Sequence, residues 1–128
     1  MLVAVVGGKL QGIEAAYLAR KAGWDVKVID KDSGVPASGL GGLFHQLDVT
    51  VEQALTPVLN DVDLVIPALE NDEALRCLDR WTRTRNIPFA FDSAAYSISS
   101  SKLASERIFS RLGVAKPRPW PGCHFPVV

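Results

Sequence analysis

The chain has 128 residues and a mass of 13.9 kDa, with 48% hydrophobic and 22% charged residues. That is enough to bury one real core, and it excludes a disordered, collagen-like or coiled-coil chain. Fourteen basic residues balance fourteen acidic ones, so the basic excess expected of a nucleic-acid module is missing.

The zero net charge hides an asymmetry. Residues 1–70 hold five Lys/Arg against nine Asp/Glu, and residues 71–128 hold nine against five. A basic second half suits an anionic ligand, although solvated helix faces carry the same pattern. Two cysteines, Cys77 and Cys123, are too few for a disulfide framework. Cys123 beside His124 is an isolated pair rather than a metal-ligand motif. No secretory leader is visible, because the apolar start is cut short by Gly7-Gly8. No run reaches membrane-spanning length. The chain is expected to be cytoplasmic.

In chain order, Leu2 to Val6 is a short Val-rich run, the pattern of a strand buried on both faces. Residues 11–22 read as a helix with Ile13, Ala16, Tyr17 and Arg20 on one face and Ala15, Leu18, Ala19 and Ala22 on the next. Gly23 stands just beyond, where a left-handed residue ends helices. Val26 to Ile29 is a second strand, closed by Asp30. The Gly- and Pro-punctuated segment 32–42 reads as loop. Leu43 to Leu47 is a third strand followed by Asp48, and Thr50 is the expected cap of a helix over 51–59. Asp63 to Ile66 is a fourth strand ending at Pro67. Asn71 or Asp72 caps a helix over 72–85 with Leu75, Leu78 and Trp81 as its apolar stripe. Pro88 to Phe91 is expected to be a fifth strand. Alternating strands and helices predict a Rossmann-like, doubly wound parallel sheet of the α/β class.

The character changes after Asp92. Residues 93–101 are small and polar with five serines, and a helix is expected over 101–112. Pro117, Pro119, Pro121 and Pro126 crowd the last part of the chain. Val127-Val128 resembles the onset of a strand, which suggests a chain cut at that point.

The chemistry-bearing residues collect at strand ends. In Gly7-Gly8-Lys9-Leu10-Gln11-Gly12, Gly7 and Gly12 fill the first and sixth places of the dinucleotide fingerprint, but the third is Lys9. The third-place glycine lets backbone approach a pyrophosphate, so Lys9 opposes the standard nicotinamide mode. Asp30 stands where a carboxylate accepts from ribose hydroxyls, and Asp48 stands where an adenine rim would lie. Glu70 suits a substrate ammonium or an ordinary helix start. Gly7, Gly8, Lys9, Asp30, Asp48 and Glu70 all fall on the carboxyl edge of the expected sheet, the ligand edge of such folds. Lys102, opening the late helix, has the reach for phosphate oxygens. His45 and His124 have no partner at readable spacing, and a structural role is expected for both.

The run Gly7 to Gly23, together with Val28-Ile-Asp-Lys31, closely resembles the start of the pyrrolysine-biosynthesis ligases of the ATP-grasp superfamily. Ser99-Ser-Ser-Lys-Leu103 and Leu112-Gly-Val-Ala-Lys-Pro-Arg-Pro119 resemble the linker helix and Pro-rich turn of ATP-grasp ligases generally. The resemblance implies a pre-ATP-grasp domain over 1–92, then a linker helix and the start of a truncated ATP-grasp domain over 93–128. It implies an ATP- and Mg2+-dependent joining of 3-methylornithine to the ε-amino group of L-lysine through an acyl phosphate.

Carried onto this sequence, the resemblance makes Lys9, Asp30, Asp48, Val49 and Lys102 nucleotide contacts. It makes Leu10, Gln11 and Glu70 contacts to lysine. No catalytic residue and no metal ligand are expected in these 128 residues, and the piece alone is expected to be inactive. The implied partners are amino acids, not nucleic acid or membrane, and a homodimer is compatible with the sequence. Three competing readings stand beside this one. They are the NAD(P)-binding Rossmann domain of an oxidoreductase, another ATP-grasp ligase such as carbamoyl-phosphate synthase or D-alanine–D-alanine ligase, and a complete non-catalytic module.

Overall fold

A computed structural model describes residues 1–40 and 42–115. The Pro-rich run 117–126, the Cys123-His124 pair and the expected strand onset at 127–128 lie outside the described residues. Two compact units emerge, Met1–Phe91 and the segment from Asp92 onward.

The first unit is a parallel sheet of four strands, β1 (Leu2–Val6), β2 (Asp25–Asp30), β3 (Leu43–Gln46) and β4 (Leu64–Pro67), in the order β3-β2-β1-β4. Central β1 pairs Val5 with Val28 on one side and with Ile66 on the other. Period-two alternation sends its side chains to two separate cores. Val3 and Val5 join Ala16, Ala19, Val28 and Ala37 on one face. Ala4 and Val6 join Ile29, Leu55, Leu59, Leu78 and Trp81 on the other. A strand covered on both sides needs an unbroken apolar run, which is why Leu2 to Val6 has no polar residue.

Helix α1 (Leu10–Lys21) covers the first face. Its small residues Gly12, Ala16 and Ala19 are the buried ones and allow close approach to the sheet. Tyr17 and Leu18, expected on apolar faces, are instead largely exposed. The narrow stripe of small residues already satisfies the contact, and the larger side chains are turned outward. Gly23, at φ +80°, ends the helix as expected.

Helices α2 (Glu52–Leu59) and α3 (Asp72–Arg85) cover the second face. Arg80 donates to Glu52 Oε2 from Nε at 3.1 Å and from Nη2 at 2.8 Å, tying the two helices together. Trp81 is fully buried, its indole N–H donates to the Thr56 hydroxyl at 3.3 Å, and Arg85 stacks 4.6 Å from its ring. Asn71 caps α3 by accepting from the Ala74 N–H at 2.8 Å, as the sequence suggested.

Three expectations need correction, and one helix was not foreseen. Pro88 to Phe91 does not form a fifth strand. Its pairing is the single parallel bridge Val65–Phe89, because Pro88 lacks an N–H and ladder pairing does not extend. Thr50 does not cap α2: the cap position is Val51, without a side-chain bond, and Thr50 bonds Asp48 instead. The loop 32–42 contains a 3₁₀ turn at Pro36–Gly39 that buries Ala37 against the sheet. The serine-rich stretch contains a helix, α4 (Ser93–Ser99), whose start is fixed by Asp92 accepting from the Ala94 and Ala95 N–H groups at 2.9 and 3.0 Å.

The second unit holds α4 and α5 (Lys102–Arg111), the latter capped by Ser101. Neither helix has a buried residue.

Candidate functional site

Strand order decides where a ligand can enter. The chain runs outward from β1 to β2 and β3, then returns to place β4 on the opposite side of β1. The connections from β1 and β4 therefore leave in opposite directions and open a crevice above their carboxyl ends, the switch point of a doubly wound sheet. A cavity of about 710 Å³ lies at this edge.

The turn after β1 forms its floor. Gly7 sits at φ +107°, and a Cβ there would collide with the backbone of Ala68 after β4. A Cβ on Gly12 would collide with the Gly7 carbonyl. Glycine is thus demanded at the first and sixth fingerprint places by close packing. Lys9, at the third place, has ordinary extended backbone and no such demand.

The cavity gathers Lys9, Leu10, Gln11, Asp30, Asp48, Val49 and Glu70 in one lining. These are seven of the eight positions expected from sequence. The eighth, Lys102, belongs to the second unit, as the first residue of α5 after its Ser101 cap.

The carboxylates differ in how they are engaged. Asp30 Oδ2 accepts from the Gly8 N–H at 2.7 Å, and Oδ1 accepts from the Asp32 N–H at 2.9 Å. Asp30 thereby braces the glycine turn, while each oxygen keeps a lone pair for a hydroxyl donor. Asp48 Oδ1 accepts from the Thr50 N–H at 3.0 Å and from the Thr50 hydroxyl at 2.8 Å. Those bonds, with a smaller contribution from the Lys31 charge, hold the Asp48 carboxyl below its ordinary value. Glu70 Oε1 accepts from Gln11 Nε2 at 3.3 Å, so a side chain after β1 meets one after β4 across the crevice. Val49 is buried in the α2–α3 core, which leaves mainly its backbone for a ligand.

Sequence reasoning missed Lys31, Thr50, Asn71 and Glu73, which also line the cavity. The signal was available in part, since the first turn of a helix following a strand end also faces the ligand edge. His45 is half-buried on edge strand β3. Cys77 is buried, and burial pushes its thiol pKa up, which makes it a poor nucleophile. Among the described residues, no group of three or more His, Cys, Asp or Glu side chains is placed to hold a metal ion. No described helix is long and apolar enough to cross a membrane.

No family model matches the chain. Among curated proteins, it is 37% identical over 121 residues to the 3-methyl-D-ornithine–L-lysine ligase of Methanosarcina acetivorans, covering 94% of this chain and 33% of that protein. The chain thus spans about a third of the length of the relatives it matches. Among solved structures, it resembles N5-carboxyaminoimidazole ribonucleotide synthetase from Thermus thermophilus, with a TM-score of 0.71 at 23% identity over 90% of this chain and 31% of that one. It also resembles the Staphylococcus aureus N5-carboxyaminoimidazole synthetase complexed with ADP, with a TM-score of 0.69 at 19% identity over 88% and 29%. At those identities the structural likeness establishes the fold, a Rossmann-like parallel sheet. The chain is therefore a homologue of the N-terminal third of the 3-methyl-D-ornithine–L-lysine ligases.

Proposed function

We propose that this chain is the N-terminal, substrate-facing domain of an ATP-dependent carboxylate–amine ligase that joins 3-methylornithine to the ε-amino group of L-lysine. In that reaction the carboxylate of one amino acid takes the terminal phosphoryl group of ATP and ADP leaves. The amine of the other then attacks the acyl phosphate and phosphate departs.

This unit's share is binding and orientation. Asp30 offers acceptors to ribose hydroxyls, and Asp48 with the Val49 backbone edges the nucleotide. Lys9 offers an ammonium to an anionic group. Glu70, held toward the crevice by Gln11, receives a substrate ammonium beside Leu10. Lys102 would serve phosphate oxygens from the linker helix. Segment 1–92 would be the pre-ATP-grasp domain, and 93–128 the linker and the start of the grasping part.

Magnesium would neutralise phosphoryl charge in this chemistry. The described residues supply no donor set that fits it, so its ligands would belong to the grasping part.

One observation carries the reading. Seven of the eight positions that resemble ligase contacts come from separate segments after β1, β2, β3 and β4, and these seven line one cavity at the switch point.

The test is a chimera in which this chain replaces the corresponding third of the Methanosarcina acetivorans ligase. The expected result is ADP release that requires both amino acids, with the joined product seen by mass spectrometry. A chimera that folds by circular dichroism yet releases no ADP overturns the proposal.

A further inference from the structure

The carboxylates lining the cavity are not equally available to a ligand. Asp30 accepts from backbone N–H groups of the turn after β1 and of its own loop, and Asp48 from one of its own loop. Glu70 accepts a single bond, from Gln11. Glu73, on the same wall, makes no hydrogen bond or ion pair among the described residues, and it lines the cavity whereas Asp72, its neighbour in the first turn of α3, does not. The Asn71 cap fixes that turn, so the two acids are held in different directions. Lys9 and Lys31 line the cavity from the ends of β1 and β2. Uncommitted negative charge is therefore concentrated on the β4–α3 wall, at Glu70 and Glu73.

An ordinary α-amino acid presents one ammonium group and needs one such carboxylate. A diamino acid presents two. We propose that Glu73 is a specificity-determining residue of this cavity, a second carboxylate in the same lining as Glu70 that receives the side-chain ammonium of a diamino-acid substrate in the bound state before reaction. The inference rests on the amino-acid reading of the cavity and adds to it the residue that selects for the second charge. An acidic residue in a first helical turn also interacts with the helix dipole, and Asp72 supplies the control for that effect. It stands in the same turn with the same charge but off the cavity.

The experiment titrates the chain calorimetrically with L-lysine and with L-norleucine, which lacks the side-chain ammonium. Glu73→Gln is expected to weaken lysine binding about fivefold, the size of one exposed charge–charge contact, and to leave norleucine unchanged. Asp72→Asn is expected to change neither. Raising the salt concentration should shrink the lysine preference of the wild type but not of Glu73→Gln. An unchanged lysine affinity in Glu73→Gln, or an equal loss for both ligands, overturns the role of Glu73 while leaving the amino-acid reading in place. A wild type that binds neither ligand at millimolar concentration overturns both.

Discussion

Asp30 shows how one side chain serves two purposes. It accepts from the Gly8 N–H and from the Asp32 N–H, so it stabilises the very turn that shapes the cavity floor. It also lines the cavity, where its remaining lone pairs are open to a ligand. Asp30→Ala is expected to weaken ATP binding about ten- to a hundredfold, since a hydrogen bond to a charged acceptor contributes about 1.5–3 kcal/mol. Asp30→Asn keeps an acceptor for one backbone donor and should lose less. Calorimetric titration with ATP checks both, and an unchanged affinity in Asp30→Ala removes the residue from the proposed nucleotide site. The contrast with Lys9 is informative. Its side chain at the third fingerprint place opposes a pyrophosphate-binding turn, and its ordinary extended backbone shows why no glycine is required there.

At the scale of elements, an unexpected contact joins the sheet to α2. Lys27 lies in the middle of β2 and is buried, yet its Nζ donates to the Val58 carbonyl and to Asp61 Oδ1, both at 2.7 Å. A cation at the last turn of α2 suits the helix dipole, and the aliphatic stem fills core space. The Lys27 bond, ahead of any other cause, holds the Asp61 carboxyl below its ordinary 3.8. The Thr50 bonds do the same for Asp48.

A carboxyl whose pKa is lower in the folded chain than in the unfolded one adds stability above the unfolded value. That stability is lost as pH falls through the folded value. Urea midpoints should therefore hold steady from neutral pH down to about pH 5 and fall below about pH 4. Asp61→Ala should be destabilised at neutral pH by about 1 kcal/mol, because the buried Lys27 ammonium keeps a single protein acceptor. Its midpoint should also change less with acid. A wild-type acid profile matching that of Asp61→Ala would remove this contact from the account.

For the whole molecule, the described residues divide into a cored unit and a coreless one. Met1–Phe91 contains both apolar clusters, while α4 and α5 bury no residue. Local stability follows buried apolar contact. Amide hydrogens of β1 and β2 should exchange only on global unfolding, and those of Ser93–Arg111 should exchange orders of magnitude faster. Hydrogen-exchange mass spectrometry on the 128-residue chain reads this directly. Equal protection in the two segments would contradict the division.

Sequence alone determined the α/β alternation, four of the five strands expected from it, a cap at Asn71 or Asp72 and the Gly23 stop. These rest on local rules: apolar runs for strands covered on both faces, a side-chain acceptor before a helix, a residue free to take positive φ after one. It also marked Gly7, Lys9, Asp30, Asp48 and Glu70 of the cavity lining, because the carboxyl ends of parallel strands form one edge whatever the strand order.

Tertiary structure alone decided the rest. The isolated Val65–Phe89 bridge, the burial of Lys27, the bond of Gln11 to Glu70 and the separation of Glu73 from Asp72 each involve partners that meet only after the sheet is ordered β3-β2-β1-β4. Local patterns report which residues share a strand or a helical face. Which faces oppose each other depends on crossovers between distant segments, and no short-range periodicity encodes that meeting.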